Sequence, residues 1–265
     1  MAGAVFLDRD TLDRGDLDFR ALDQLCDGWI GHSRTSPAQL AEHIGEARIV
    51  LTNKVVIDAP TLAKCPTVEL VNVVATGVNN IDLRAARDHG VRVCHCRGYG
   101  TESVSQHAIT LMLALCTRLV DYVGAVHRGR WEQSPDFCFL DYPITELADK
   151  TLLVVGYGTL GAAVARKAEA LGMRVTIAER PDADSPRAGR VSFADGVAEA
   201  DIVTLHCPLT EATHELINRS VLRRMKSSAL LINTARGGLV DEAALVEALR
   251  TGEIGGAGID VLSTE

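Results

Sequence analysis

Three glycines at a fixed spacing, placed between an apolar strand and a helix, are the first residues of this sequence with an evident chemical use. Gly156, Gly158 and Gly161 follow the strand predicted at Leu152–Val155, and the Ala-rich stretch Ala162–Gly172 comes next. That stretch is typical of a helix that ends at a glycine. In this setting glycines permit a tight turn, close approach of the backbone to a diphosphate, and close packing of helix on strand. The pattern predicts a dinucleotide site.

The first amide groups of that helix lack partners within the helix and carry partial positive charge, so they can bind the diphosphate. They belong to the turn residues Thr159, Leu160 and Gly161. The next predicted strand, Val175–Ala178, is followed by Glu179. In dinucleotide-binding folds a carboxylate at this position accepts hydrogen bonds from the adenosine ribose, so Glu179 favours NAD. Arg180 could stack on adenine or pair with a 2′-phosphate, so NADP stays possible.

The elements that position these residues are short runs of Val, Ile and Leu that alternate with helix-like stretches, as in parallel sheets with crossover helices. The first series of strands is predicted at Ala4–Leu7, Arg48–Leu51, Leu70–Val74 and Val91–Cys96. The second is predicted at Leu152–Val155, Val175–Ala178, Ile202–His206, Leu230–Asn233 and Gly258–Leu262. Apolar residues at steps of three or four predict a long helix from Ser103 to about Arg128 between them. We therefore predict an α/β fold of two doubly wound parallel-sheet domains joined by a long helix, with Pro181–Arg190 as an exposed loop.

The composition favours a small-molecule partner. Of 265 residues, 47% are apolar, which suffices for a buried core, and the net charge of −8 argues against nucleic acid and membrane surfaces. No apolar run approaches the ~20 residues of a membrane-spanning helix, so we expect a cytoplasmic protein. Seven irregularly spaced cysteines are typical of reduced thiols. Cys94, His95 and Cys96 lie on a predicted strand, where neighbours point to opposite faces, so we expect no metal site.

Three further segments resemble the signature segments of the D-isomer-specific 2-hydroxyacid dehydrogenases. They are HCPLTEAT from His206, NTARGGLVDEAAL from Asn233 and GGAGIDVLSTE from Gly255. Four more resemble the glycerate dehydrogenase/hydroxypyruvate reductase branch of that family: TNK from Thr52, ATGVNNID from Ala75, GYGTESV from Gly98 and DFCFLD from Asp136.

The resemblance implies a flavodoxin-like substrate domain over residues 1–98 and a Rossmann NAD-binding domain over residues 99–265. It implies hydride transfer between NAD(P)H and a small 2-oxo or D-2-hydroxy acid, with hydroxypyruvate or glyoxylate as the expected substrate, and a homodimer. Two alternatives stay open. One is a sibling dehydrogenase for another acid, such as phosphoglycerate or lactate; the other is a non-catalytic NAD-sensing scaffold or corepressor.

The resemblance also assigns site residues. Arg236 matches the arginine that holds the substrate, and Glu265 matches the acid that partners the catalytic histidine. The implied substrate contacts are Asn53, Lys54, Thr76 and Gly77. Beside the residues of the glycine turn, Glu179 and Arg180, the implied cofactor contacts are Val104, His206, Cys207, Pro208, Thr213, Thr234, Ala235 and Asp260.

The family's catalytic histidine has no counterpart in this sequence. In the family, a Pro-His element follows the acid that Glu265 matches, and the sequence stops there; none of its eight histidines fits the role by resemblance. We expect this sequence to be truncated, so that it lacks both this element and the return helix of the first domain. A chain that truly ended here would turn over slowly, because positioned proton transfer contributes roughly 10²–10⁴-fold.

Overall fold

A computed structural model describes residues 3–264 of the chain, which form two compact units that divide between Tyr99 and Gly100. The strands of the first unit are β1 (Ala4–Phe6), β2 (Trp29–Gly31), β3 (Ile49–Thr52), β4 (Leu70–Val73) and β5 (Arg92–His95). Its α-helices are α1 (Arg20–Leu25), α2 (Leu40–Ile44), α3 (Ala59–Lys64) and α4 (Leu83–Asp88), with a 3₁₀ turn at Arg9–Thr11.

All neighbouring strands of this first sheet are parallel, in the order β2-β1-β3-β4-β5. Successive side chains of a strand point to opposite faces of the sheet, and both faces of this sheet carry buried apolar residues. Val5 and Leu7 join one apolar cluster, while Ala4 and Phe6 join another. The strand order reverses between β1 and β3, and ligands bind at such points in open α/β sheets.

The second unit begins with two helices and contains a second five-stranded sheet. Its helices are α5 (Thr101–Cys116), α6 (Leu119–His127), α7 (Thr159–Ala170), α8 (Phe193–Glu199), α9 (Arg219–Leu222) and α10 (Glu242–Thr251), with 3₁₀ turns at Glu211–Thr213 and Gly237–Leu239. Its strands are β6 (Thr151–Val155), β7 (Arg174–Ile177), β8 (Ile202–Leu205), β9 (Leu230–Asn233) and β10 (Gly256–Ile259). They are parallel in the order β10-β9-β8-β6-β7, so the reversal lies between β6 and β8.

The two predicted sheets are confirmed, with the fold class, but three local predictions differ. The last strand was predicted at Gly258–Leu262, and the structure has it at Gly256–Ile259. Strand β2 was not predicted, because its three residues at the sheet edge are mostly exposed and carry no apolar run. The predicted helix from Ser103 to Arg128 is interrupted, because Arg118 takes a left-handed conformation (φ 52°) between α5 and α6. The two helices meet at a bend of 60°.

Among the described residues, no single helix is long and apolar enough to cross a membrane. Taken together, helices α5 and α6 have the length and apolar composition of a membrane-spanning segment, but the 60° bend separates them. Buried residues of α5, including Ala108 and Met112, belong to the core of the second unit with Leu152 and Val154 of β6, as expected of a core helix.

Candidate dinucleotide-binding edge of the second sheet

The turn after β6 is held by direct backbone contacts that exclude side chains at two of its glycines. Gly156 has φ +94°, and a Cβ there would lie 2.5 Å from the amide nitrogen of Cys207. A Cβ on Gly161 would collide with the carbonyl oxygen of Gly156. At Gly158, by contrast, an added Cβ would meet nothing within 4 Å. The turn is therefore closed toward the protein and open on the side of its middle glycine.

Helix α7 starts at this opening. Its first backbone bond is donated by the amide of Ala162 to the carbonyl of Gly158. The amides of Thr159, Leu160 and Gly161 precede that bond, so they lie at the positive end of the helix dipole without partners inside the helix. An anionic diphosphate against Gly158 would meet these amides.

Two residues that are uncharged near neutral pH, His206 and Cys207, directly follow strand β8. Burial lowers the pKa of His206 to about 4, and one ring nitrogen lies 2.9 Å from the hydroxyl of Thr204. Burial also raises the pKa of the Cys207 thiol to about 11. The hydroxyl of Thr213 donates to the carbonyl of Pro208 at 2.7 Å and thereby closes the loop that follows.

At the end of β9 a buried asparagine shapes the loop that carries Arg236. The side chain of Asn233 accepts from the amide of Ala235 at 3.1 Å and donates to the carbonyl of Arg236 at 2.9 Å. The Arg236 side chain is exposed, and within residues 3–264 its one hydrogen bond runs to the carbonyl of Ala235. The backbone of Leu262 packs directly on Gly237, which leaves no room for a Cβ there.

Thr234, in the same loop, has a buried hydroxyl that finds no hydrogen-bond partner within the described part of the chain. A buried polar atom without a partner is costly and points to a ligand or water that completes the site. This hydroxyl and the open side of Gly158 are the two features that fit a bound dinucleotide.

Strand β10 and helix α5 supply the next predicted residues. The amide of Asp260 donates to the carbonyl of Asn233, and its carboxylate lies 3.2 Å from Nε2 of His107 on α5. Val104 lies in the first turn of α5, half-buried. Glu265, the predicted partner of a catalytic histidine, lies outside the described residues.

Glu179, at the end of β7, differs from its expected state. Its carboxylate was expected to be available to the adenosine ribose, but it accepts two bonds from the Arg187 guanidinium, at 2.6 and 2.7 Å. The backbone amides of Arg180 and Arg187 donate to the same carboxylate. These bonds, those of the guanidinium above all, hold the pKa of Glu179 well below its usual range. The argument for NAD from a free acid at this position therefore does not hold.

In the first unit, a buried acid that the sequence prediction missed organises the predicted substrate contacts. Asp8, 3% exposed and directly beyond β1, accepts from the amides of Asn53 at 2.9 Å and Lys54 at 2.6 Å. The Asn53 side chain donates to the hydroxyl of Thr11, and the Lys54 side chain is exposed. An acid directly after the first buried strand was the available signal.

The other predicted substrate contacts, Thr76 and Gly77, follow β4 in the same unit. The carbonyl of Thr76 is bound by His95 at 2.9 Å, whereas the amides of Thr76 and Gly77 have no acceptor within residues 3–264. Free consecutive amides of this kind can bind a carboxylate.

No group of three or more His, Cys, Asp or Glu side chains in the described residues is arranged to hold a metal ion. All seven cysteines are unpaired. The polar groups open to a ligand at the carboxyl edge of the second sheet are Gly158, the start of α7, Thr234 and Arg236.

Comparison with known proteins gives one consistent result. The model of the D-isomer specific 2-hydroxyacid dehydrogenase NAD binding domain matches residues 109–265. The glycerate dehydrogenase of Methylorubrum extorquens is 42% identical over 261 residues, which cover 98% of this chain and 81% of that protein. The hydroxypyruvate reductase of Blautia hydrogenotrophica is 38% identical over 267 residues, covering 98% and 83%. The D-lactate dehydrogenase of Aquifex aeolicus, solved with NAD and lactic acid, superposes with a TM-score of 0.82 at 27% identity, covering 98% of this chain and 77% of that one.

The glycine turn predicts opposite effects of two similar substitutions. Gly158→Ala should leave thermal unfolding unchanged, because the new methyl group meets no protein atom. It should weaken dinucleotide binding about tenfold or more, since a displaced charge-assisted hydrogen bond contributes roughly 1.5–3 kcal/mol. Gly161→Ala should lower the free energy of unfolding by about 1–3 kcal/mol through overpacking against Gly156. Calorimetry with and without NADH measures both effects; unchanged NADH affinity in Gly158→Ala would contradict the proposed location.

His206 predicts a pH dependence of stability. An unfolded histidine binds a proton near pH 6.5, whereas His206 in the folded protein does so only at about 4. The unfolded state therefore binds more protons between these values, and stability falls as the pH drops from about 6.5 to 4, by at most roughly 3 kcal/mol. NMR titration should give a midpoint near 4 for this ring, and His206→Gln should reduce the acid sensitivity of unfolding. A midpoint near 6.5 would show that the ring is solvated.

Proposed function

Because the chain belongs to the D-isomer-specific 2-hydroxyacid dehydrogenase family, we propose that it reduces hydroxypyruvate or glyoxylate to D-glycerate or glycolate. The chain is an oxidoreductase that transfers hydride between NAD(P)H and a 2-oxo or 2-hydroxy acid. One observation carries the assignment to this site: the exposed guanidinium of Arg236 lies at the same sheet edge as the open turn at Gly158. The extended similarity to glycerate dehydrogenase and hydroxypyruvate reductase supports the choice of acid.

Arg236 is proposed as the residue that orients the substrate. A guanidinium carries five N–H donors in a planar fork, and Arg236 uses one of them on the carbonyl of Ala235. The remaining donors can grip two oxygens of a 2-oxo acid at once. As the carbonyl carbon is reduced, negative charge grows on its oxygen, and a fixed cation beside it stabilises that charge more than the neutral ground state.

The cofactor residues have separate proposed tasks. Bound NAD(P)H supplies the hydride. The start of α7 and Gly158 hold the diphosphate, while Val104, Thr234, Ala235 and Asp260 border the nicotinamide. His206 and Cys207, both uncharged near neutral pH, border the turn without repelling or attracting the diphosphate.

In the first unit, we assign the loops after β3 and β4 to substrate binding. Asp8 accepts hydrogen bonds from the backbone amides of Asn53 and Lys54 and so holds this loop in place. The loop lies where the strand order reverses, and it carries the exposed ammonium group of Lys54. The free amides of Thr76 and Gly77 offer two further donors for a carboxylate. The proposal thus treats residues 1–98 as a substrate domain and residues 99–265 as the dinucleotide-binding domain, with Glu265 as the partner of the family's proton-transferring histidine.

We further propose a homodimer through the exposed face of α6 and the segment that follows it. Among the exposed apolar side chains there, Val120 is 77%, Phe137 91% and Leu140 83% exposed. Large apolar side chains with this degree of exposure are typical of interaction sites. A cytoplasmic location is also proposed, since seven unpaired cysteines are typical of a reducing compartment.

Arg236 provides the test of the proposed function. A protein that includes the family's Pro-His element should oxidise NADH or NADPH in the presence of hydroxypyruvate or glyoxylate. The rate, followed by the absorbance of the reduced nicotinamide, should be lower with pyruvate or 3-phosphohydroxypyruvate. Arg236→Ala should lower kcat/KM by about 100-fold or more, because it removes the cation beside the developing charge. Arg250→Ala removes another exposed arginine, from the end of α10, and should have no effect. Full activity in Arg236→Ala, or reduction of no acid in the panel, would contradict the proposal.

The dimer proposal predicts a mass in solution of twice 28.4 kDa by light scattering. The double variant Val120→Glu, Leu140→Glu should be monomeric, since a buried unpaired carboxylate opposes association. Leu25→Glu, at a site 82% exposed on α1, is the matched control and should stay dimeric. A monomeric starting protein would refute the assignment.

A further inference from the structure

The carboxylate of Glu179 has no capacity left for a ribose. A carboxylate offers about four lone-pair positions. Oε1 accepts from the amide of Arg180 at 2.9 Å and from Nη2 of Arg187 at 2.6 Å. Oε2 accepts from the amide of Arg187 at 3.0 Å and from its Nε at 2.7 Å. With Arg187 in place, Glu179 is 4% exposed.

The Arg187 guanidinium, in contrast, keeps donors and surface for a ligand. Two of its five N–H groups point to Glu179, which leaves three. The side chain is 59% exposed, while its carboxylate partner is buried. Glu179 therefore holds the guanidinium in one orientation and leaves its outer edge free.

Two other arginines add to the positive charge at this place. Nη1 of Arg190 donates to the carbonyl of Ala178 at 3.2 Å and lies 3.9 Å from Glu179. Arg180 follows Glu179 directly and is exposed. Asp182 and Asp184 lie in the same segment, so residues 179–190 hold three arginines and three acids. Arg187 and Arg190 are the arginines within 4 Å of the Glu179 carboxylate.

The loop that carries Arg187 is fixed beside the glycine turn. The amide of Glu179 donates to the carbonyl of Val191, and the amide of Val191 donates to the carbonyl of Ile177, so the loop returns to the strand it left. Strand β7 is paired with β6, with Ile177 opposite Val154. Adjacent strands lie about 4.8 Å apart. The cluster therefore lies one strand from the turn where the diphosphate is proposed to bind.

These contacts define what this position can recognise. In dinucleotide-binding sheets, the residue after the second strand lies against the adenosine ribose: an available acid accepts its 2′-hydroxyl, and an arginine accommodates a 2′-phosphate. Here the acid is saturated and the arginine is exposed. We propose that Arg187, held in place by Glu179, binds the 2′-phosphate of NADPH, so that the protein binds NADPH more tightly than NADH. The inference rests on the proposed dinucleotide site of the second unit.

Binding of adenosine 2′,5′-bisphosphate and of 5′-AMP, measured by titration calorimetry, tests this without turnover. The bisphosphate should bind at least about tenfold more tightly, the equivalent of one charge-assisted hydrogen bond. Arg187→Ala should remove this preference and leave 5′-AMP affinity unchanged. Arg223→Ala removes an arginine that pairs with Glu253 elsewhere in the unit and should keep the preference.

A second variant separates recognition from loop folding, because Arg187→Ala leaves the Glu179 carboxylate without its cation. Glu179→Gln keeps an acceptor for Arg187 and removes the negative charge, so bisphosphate affinity should stay the same or rise, with 5′-AMP affinity unchanged. Loss of 5′-AMP and NADH binding in Glu179→Gln would mean that the acid holds the ribose, which would overturn the inference.

Different binding results would contradict this inference and the proposed dinucleotide site. If NADH and NADPH bind with equal affinity to the unsubstituted protein, selection by Arg187 is wrong while the dinucleotide site stands. If neither dinucleotide binds, the site itself is wrong. An NADPH preference that persists in Arg187→Ala would show that another residue holds the phosphate, and it would also overturn the inference.

Discussion

Direct contact between backbone segments at the carboxyl end of β6 is the constraint on which the dinucleotide edge depends. The turn at Gly156 packs on the backbone that leaves β8, and α7 packs on the turn through Gly161. These contacts place the start of a helix at the reversal of strand order, with its free amides toward the opening left by Gly158. The glycine at each position follows from what lies beside it: protein backbone at two of them and open space at the third.

An anionic protein can bind an anionic cofactor here because the relevant charges are local. The amides at the start of α7 carry partial positive charge, and neither His206 nor Cys207 is charged near neutral pH. Arg236 at one end of the edge and Arg187 at the other supply full positive charges. The net charge of −8 belongs to the whole chain, and solvent screens exposed charges over about 10 Å at ordinary salt.

Much of this arrangement follows from local sequence. The glycine spacing predicts the turn and the helix after it, and apolar runs predict nine of the ten strands that the structure describes. Local patterns could not predict which side chains contact residues far away in the sequence. The partner of Glu179 is Arg187, in a polar loop with no regular structure, and Asp8 binds a loop 45 residues away. The break at Arg118 was missed for a different reason, because the apolar periodicity continues through it.

The most direct measurement is a crystal structure of this chain grown with NADPH. The account predicts that the diphosphate lies against Gly158 and the amides of Thr159 to Gly161, with the 2′-phosphate within hydrogen-bond distance of the Arg187 guanidinium. A nucleotide bound away from this turn, or a ribose hydroxyl bound to Glu179 after displacement of Arg187, would contradict it.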